Sequence, residues 1–248
     1  MRERFVAEQL GDLREIGLDW DGEVVRQSER TALYADALER LGADGLVYRC
    51  FCSRREVREA ASAQHGKAPE GFYPGTCAVL AEEESQRRAE AGEEFALRLR
   101  AGRREVTITD RLHGERTDPV DDLVLRRRDG AFAYNLAVVV DDAEQGVGEV
   151  VRGDDLLPST AGQALLCDLL GLERPAWAHV PLVLGPDGSR LAKRHGAVTL
   201  RDVGAAVARR WMAESLGWSG SGEPADLLGT FDPHDVPNVP TVLDPERL

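Results

Sequence analysis

Residues 136–171 constrain the fold more than any other stretch. Residues 136–140 form an unbroken apolar run, too apolar for a strand with one wet face. The run reads as a buried strand that ends in an acidic turn at Asp141 and Asp142. A second short strand is predicted at Val150 and Val151. Pro158 then opens a helix whose body runs from Leu165 to Leu170 and whose stop is Gly171, with proline inside the start and glycine past the end. Buried strands feeding helices predict an α/β sheet. A doubly wound nucleotide-binding sheet normally opens on a strand and a phosphate-binding turn. This chain opens on a helix instead, with Val6, Leu10 and Leu13 at helical spacing, a stop at Gly17, and an Asp19-Trp20-Asp21-Gly22 turn after it.

Further elements follow from patterning. A second helix is predicted from Ser28 as its cap, with Leu33, Ala37, Leu38 and Leu41 on one face and Gly42 at its end. A polar excursion rich in Gly and Pro spans residues 50–77, and the Ala/Glu-rich stretch up to Gly92 reads as helix or linker, so this is the expected insertion. Alternation at Phe95, Leu97 and Leu99, at Val106 and Ile108, and at Leu123 and Leu125 before Asp129-Gly130 predicts short antiparallel strands. A last helix is expected to carry Val203, Val207, Trp211 and Leu216.

Bulk composition excludes some functions. With 248 residues, 42% hydrophobic and 30% charged, the chain can bury one sizeable core with a small inserted module. No apolar run approaches bilayer length, and Arg2, Glu3 and Arg4 follow Met1 without a signal-peptide core, so a cytoplasmic protein without membrane contact is expected. A net charge of -13 argues against coating nucleic acid by bulk attraction. RNA contact would need a local patch, and residues 98–104, 126–128 and 190–194 are the candidates, although arginine runs also serve as solvated faces.

Three segments carry candidate chemistry. Cys50, Cys52 and Cys77 sit in the Gly/Pro-containing loop and supply three soft ligands for a tetrahedral zinc, with His65 or Tyr73 as the fourth. The alternative is three reduced cysteines in a loop; Cys167, in an apolar helical stretch, reads as core. Residues 185–194 form a turn presenting Arg190, Lys193 and Arg194, donors suited to neutralising phosphates. Tyr134, ahead of the apolar run, and Arg152, at the end of the next strand, stand where α/β sheets bind ligands, and an arginine there can clamp a carboxylate with two parallel hydrogen bonds. Taken alone, Tyr134 reads rather as a half-buried core aromatic and Arg152 as a sheet-edge ion pair.

Together the segments are far more specific. Phe132-Ala133-Tyr134-Asn135-Leu136-Ala137-Val138-Val139-Val140-Asp141-Asp142, Gln145-Gly146-Val147 and Val151-Arg152-Gly153-Asp154-Asp155-Leu156 resemble the signature of glutamyl-tRNA synthetase relatives. The wording is closest to the glutamyl-queuosine branch, which Asp19-Trp20-Asp21-Gly22 and Gln27-Ser28 also resemble. The resemblance implies a class I aminoacyl-tRNA synthetase domain of Rossmann type with a small zinc-binding insertion. It implies Cys50, Cys52, Tyr73 and Cys77 as zinc ligands, with the tyrosine rather than His65 as the fourth. It implies Tyr134 and Arg152 as glutamate contacts. It matches Arg190, Leu191, Ala192, Lys193 and Arg194 to the family's Lys-Met-Ser-Lys-Ser loop, with Lys193 as the catalytic lysine on ATP; Arg190 and Ala192 depart from that pattern.

The implied division is 1–48 for the remainder of the N-terminal Rossmann half, 49–92 for the zinc insertion and linker, 93–135 for antiparallel connecting strands, 136–218 for the second Rossmann half and 219–248 for a tail. The family's first strand and its His-Ile-Gly-His-like helix start precede the region where this chain opens. The resemblance therefore implies a domain missing its first βα unit, with activation weakened accordingly. The implied activity is a ligase reaction that activates glutamate with ATP and Mg2+ and transfers it to queuosine in tRNA(Asp), performed by a cytoplasmic monomer. The alternatives are a non-catalytic zinc-containing remnant that binds tRNA or protein, and a fragment of an ordinary glutamyl-tRNA synthetase.

Overall fold

A computed structural model describes residues 3–53, 55–57, 59, 73–191, 199–218, 223–229 and 231–244. In chain order the elements are helices α1 (Glu3–Glu15) and α2 (Thr31–Ala43), strand β1 (Val47–Cys50), helix α3 (Glu82–Glu90), and strands β2 (Ala96–Leu99), β3 (Glu105–Asp110), β4 (Gly114–Pro119) and β5 (Val124–Arg126). Helix α4 (Tyr134–Glu144), strand β6 (Glu149–Gly153), helix α5 (Leu157–Leu170) and strands β7 (Ala176–Val180) and β8 (Val183–Leu184) follow. Helices α6 (Leu200–Val203), α7 (Ala205–Ser215) and α8 (Pro224–Leu227) and strand β9 (Thr241–Val242) complete the fold. Among the described residues no helix is long and apolar enough to cross a membrane.

The chain forms two compact units: Met1–Val24, Val151–Asp155 and His179–Leu248 make the first, and Val25–Val150 with Leu156–Ala178 the second. In the second unit β1, β2 and β5 form an antiparallel sheet in the order β1-β2-β5. A four-stranded sheet runs β4-β3-β7-β6, with β3 antiparallel to β4 and parallel to β7. The predicted alternation holds in β3, where Val106 and Ile108 are buried between exposed neighbours. Its partner β4 has no such pattern, because an edge strand without apolar side chains carries no periodic signal. In the first unit β8 and β9 pair in parallel.

Helix α5 is built as its sequence predicts, with Pro158 in its first turn and Gly171 closing it at φ 65. Burial on several faces leaves little space beside it: a Cβ added at Gly162 would lie 2.7 Å from Leu123 Cδ1.

The apolar run at residues 136–140 is the main correction. It is not a strand but the body of α4, which buries Leu136, Ala137, Val139, Val140 and Asp141. A short apolar run does not by itself distinguish a buried strand from a buried helix. Helical spacing puts Asp141 one turn beyond Ala137 on the buried face. There its carboxylate accepts hydrogen bonds from Gln27 Nε2 at 2.9 Å, Arg30 Nε at 2.7 Å and the Tyr34 hydroxyl at 2.8 and 2.9 Å. Burying the valines outweighs the few tenths of a kcal/mol per residue that β-branching costs a helix. The expected acidic turn at Asp141 and Asp142 is thus helix interior, and the chain turns only at Gly146, with φ 67.

Two helix starts also differ from expectation. Ser28 lies in a 3-10 turn (Gln27–Glu29) and does not cap α2; its N-cap is Arg30, whose side chain turns to Asp141. On α2 the buried face is Tyr34, Ala37 and Leu41, while Leu33 stays exposed. The last predicted helix is broken at Gly204, which has φ 79, into α6, capped by reciprocal Thr199 and Asp202 hydrogen bonds, and α7.

The Asp141 cluster yields a stability prediction. Hydrogen bonding to Asp141 is the main influence raising the Arg30 pKa, and burial, followed by the bond to Asp141, pushes the Tyr34 phenol up to about 12. Asp141→Ala leaves the Arg30 guanidinium, whose side chain is 19% exposed, without its carboxylate and is expected to destabilise the fold, read as a lower urea midpoint at unchanged m. The double variant Arg30→Met/Asp141→Leu is expected to recover most of that loss. Equal stability of D141A and the unsubstituted chain would show that the pair carries no such role.

Candidate functional site

The cysteine cluster is prepared by strand geometry. Cys50 ends β1 and Cys52 follows two residues on, so an extended backbone aims both side chains to one side. Cys77 enters from a turn, and the three Sγ atoms lie within 4.8 Å of one another. The Cys52 and Cys77 sulfurs are 3.5 Å apart. The Tyr73 hydroxyl stands 3.4 Å from Cys50 Sγ and 3.5 Å from Cys52 Sγ, and accepts the Cys77 amide N–H at 2.8 Å. A tetrahedral site with thiolate and oxygen ligands requires about 3.8 Å between sulfurs and about 3.5 Å from sulfur to oxygen. Three sulfurs and a phenol oxygen therefore fit one metal ion, and no large backbone rearrangement is needed to close on it. His65, the other fourth-ligand candidate, lies outside the described residues.

Neighbouring groups hold the cluster in place. The Tyr73 amide donates to both oxygens of Asp121, at 3.1 and 2.9 Å, and the Arg98 guanidinium stacks 4.0 Å from the Tyr73 ring centroid. The Phe51 amide donates to Cys77 Sγ at 3.4 Å, and Arg128 donates to the Phe51 carbonyl. Without a metal, burial pushes the Cys52 thiol up to about 11 and lifts the Tyr73 phenol well above its usual range. Burial acts on Cys77 in the same direction, but hydrogen bonds from Tyr73 and the Phe51 amide bring its thiol below the ordinary value. A bound cation reverses the burial penalty by favouring the thiolates.

Beside the cluster, still in the second unit, lies a cavity of about 990 Å³ whose walls include Cys50, Cys52, Arg98, Arg128, Phe132 and Tyr134. Tyr134 occupies the first turn of α4, not a strand end, and is 48% exposed. Several of the arginines proposed as basic patches are committed to local structure. Arg98 donates to the Asp122 carbonyl, Arg100 to the Ala78 carbonyl, Arg126 to the Gly130 carbonyl, and Arg127 pairs with Asp129.

The first unit holds the other predicted residues. Arg152, on β6, donates from Nε to His179 Nε2 at 3.0 Å. Next to it Gly153 packs closely, since a Cβ would lie 2.8 Å from Asp155 Oδ1 and 2.9 Å from Leu182 Cδ2, and those side-chain ends would have to shift. Asp155 forms an ion pair with Arg190. The loop that carries Arg190 follows β8 and closes through Gly188 N–H to the Gly185 carbonyl at 2.9 Å, with φ 73 at Gly188. Leu191 donates its amide to the Val183 carbonyl at 3.0 Å. Ala192, Lys193 and Arg194 lie outside the described residues.

The structure thus gathers Cys50, Cys52, Tyr73 and Cys77 into one cluster, lines an adjoining cavity with Tyr134, and places Arg152 and Arg190 in the other unit, both tied to named partners. Sequence reasoning missed His179. Its signal was a lone imidazole between Ala178 and Val180 in a strand, where a buried polar group must find a partner.

Comparison with known proteins bears on this geometry. The family of class I tRNA synthetases (E and Q), catalytic domain, matches residues 1–211. The chain is 55% identical over 245 residues to a Nocardia farcinica protein named glutamyl-Q tRNA(Asp) synthetase, with 97% of this chain and 78% of that protein covered. It is 43% identical over 267 residues to a Symbiobacterium thermophilum protein of the same name, covering 100% of this chain and 83% of that one. Among solved structures it resembles the glutamate-tRNA synthetase of Elizabethkingia anophelis, with a TM-score of 0.76 and 24% identity over 99% of this chain, a likeness of fold. It spans 58% of that protein's length. With the α/β architecture and the family match over most of its length in agreement, this chain belongs to the catalytic-domain family of the class I tRNA synthetases of the glutamate and glutamine type.

Proposed function

We propose that the chain is an ATP-dependent ligase that activates glutamate and transfers it to the queuosine base of tRNA(Asp). The observation that carries this reading is the 55% identity, over nearly the whole chain, to a protein bearing the name glutamyl-Q tRNA(Asp) synthetase. In the first step a glutamate carboxylate oxygen attacks the α-phosphorus of ATP, which enters with Mg2+; glutamyl-adenylate forms and pyrophosphate leaves. In the second, a hydroxyl of the queuosine ring attacks the adenylate carbonyl, an ester forms and AMP leaves. No covalent protein nucleophile is required.

On this reading Arg152 holds a glutamate carboxylate and the Tyr134 hydroxyl adds a contact. Arg190, Leu191, Ala192, Lys193 and Arg194 form the loop over ATP, where Lys193 offsets charge on the departing pyrophosphate. The ion pair between Asp155 and Arg190 supports this by tethering the first residue of that loop to the segment that follows Arg152. Zinc on Cys50, Cys52, Tyr73 and Cys77 would act as a structural staple for a module whose own core is small.

Glutamate-dependent exchange of pyrophosphate into ATP tests the first step on the full chain. Lys193→Ala is expected to slow exchange by about a hundredfold to a thousandfold. Labelled glutamate should then reach tRNA(Asp) that carries queuosine and not the same tRNA lacking it. Transfer to tRNA(Glu) instead would establish an ordinary glutamyl-tRNA synthetase activity, and absence of exchange would establish a non-catalytic relative.

Zinc has its own test. Purified protein is expected to carry about one zinc per chain, and a strong chelator or Cys77→Ser to lower the melting temperature. Because thiols must lose protons to bind, zinc affinity should fall as pH is lowered. A chelator-treated chain with unchanged melting and no bound metal as purified would sink the zinc assignment.

A further inference from the structure

We infer that His179 is a positioning residue for Arg152, fixing the guanidinium so that a substrate carboxylate meets its Nη1/Nη2 end. The inference rests on the reading of Arg152 as the glutamate clamp. His179 lies on β7 with no exposed surface, and its Nε2 is 3.0 Å from Arg152 Nε. A guanidinium has only donors and does not lose its proton. The imidazole Nε2 is therefore the acceptor, which makes His179 the neutral tautomer with its proton on Nδ1.

Two consequences follow. A guanidinium can receive a carboxylate side-on, through Nε and one Nη, or end-on, through both Nη atoms. With Nε–H committed to His179, the side-on mode is closed and the end-on fork is the one that a carboxylate can use. The charge of the orienting group matters as well. A carboxylate at position 179 would orient the guanidinium but offset the positive charge that binds substrate, whereas a neutral imidazole orients it and leaves that charge in place.

The test compares His179→Gln, His179→Asn and His179→Leu with the unsubstituted full chain in glutamate-dependent pyrophosphate exchange, with thermal melting as the check on folding. His179→Leu is expected to raise the KM for glutamate by about tenfold or more while kcat at saturating glutamate changes far less. His179→Gln, whose amide oxygen can reach the same N–H, should recover most of that loss; His179→Asn, one methylene shorter, should not. A KM for glutamate unchanged in both H179L and H179N, or equally raised in H179Q and H179N, overturns the positioning role. A measurement independent of activity uses 15N-labelled unsubstituted chain: a coupling across the hydrogen bond between Arg152 Nε and an unprotonated His179 Nε2 is expected, and its absence overturns the inference. Failure of the unsubstituted chain to exchange at all is a different result, which removes the glutamate reading and this inference with it.

Discussion

The buried carboxylate of Asp141 is the interaction on which the second unit turns. Desolvating an ionised aspartate costs several kcal/mol, and the cost is met here by a guanidinium, an amide and a hydroxyl converging on two oxygens. Those donors come from the 3-10 turn before α2, from its N-cap and from its first turn, so a single side chain on α4 ties down where α2 begins. The same helix carries Tyr134 in its first turn. The placement of an exposed candidate ligand contact is thus inherited from a polar contact two turns away, inside the core.

The cysteine module is held by different means. Its apolar cluster of Tyr48, Cys50, Phe51, Tyr73 and Cys77 is small beside the main core around Leu41, Leu99, Leu125, Leu136 and Leu166. Burial of so few side chains does not stabilise a segment against the entropy of ordering it. Arginine–aromatic stacking, the Asp121 carboxylate on the Tyr73 amide and the convergence of three sulfurs compensate. The groups that brace Tyr73 also hold its hydroxyl near the cysteine sulfurs, so the brace and the sulfur–oxygen cluster are one construction.

Charge is deployed locally, as a net charge of -13 requires of any chain that meets anionic substrates. Most of the arginines in the predicted basic runs are spent on carbonyls, rings and neighbouring carboxylates within a few residues or one strand. Arg152 is handled otherwise, oriented by an imidazole that brings no negative charge.

Several features were determined by the sequence alone. The caps of α5 at Pro158 and Gly171, the alternation in β3, and the i, i+2 spacing of Cys50 and Cys52 are local properties, and local sterics decide them. The family signature was legible for the same reason, since it is a string of neighbouring residues. Only the tertiary structure decided whether residues 136–140 were strand or helix, because either element can bury most of this apolar run and only the helix brings Asp141 to Arg30 and Tyr34, more than a hundred residues away in the chain. The partnership of Arg152 with His179 was equally invisible, for a strand histidine between apolar neighbours says only that it must be paired, and pairing across strands is settled by register, which no local pattern encodes.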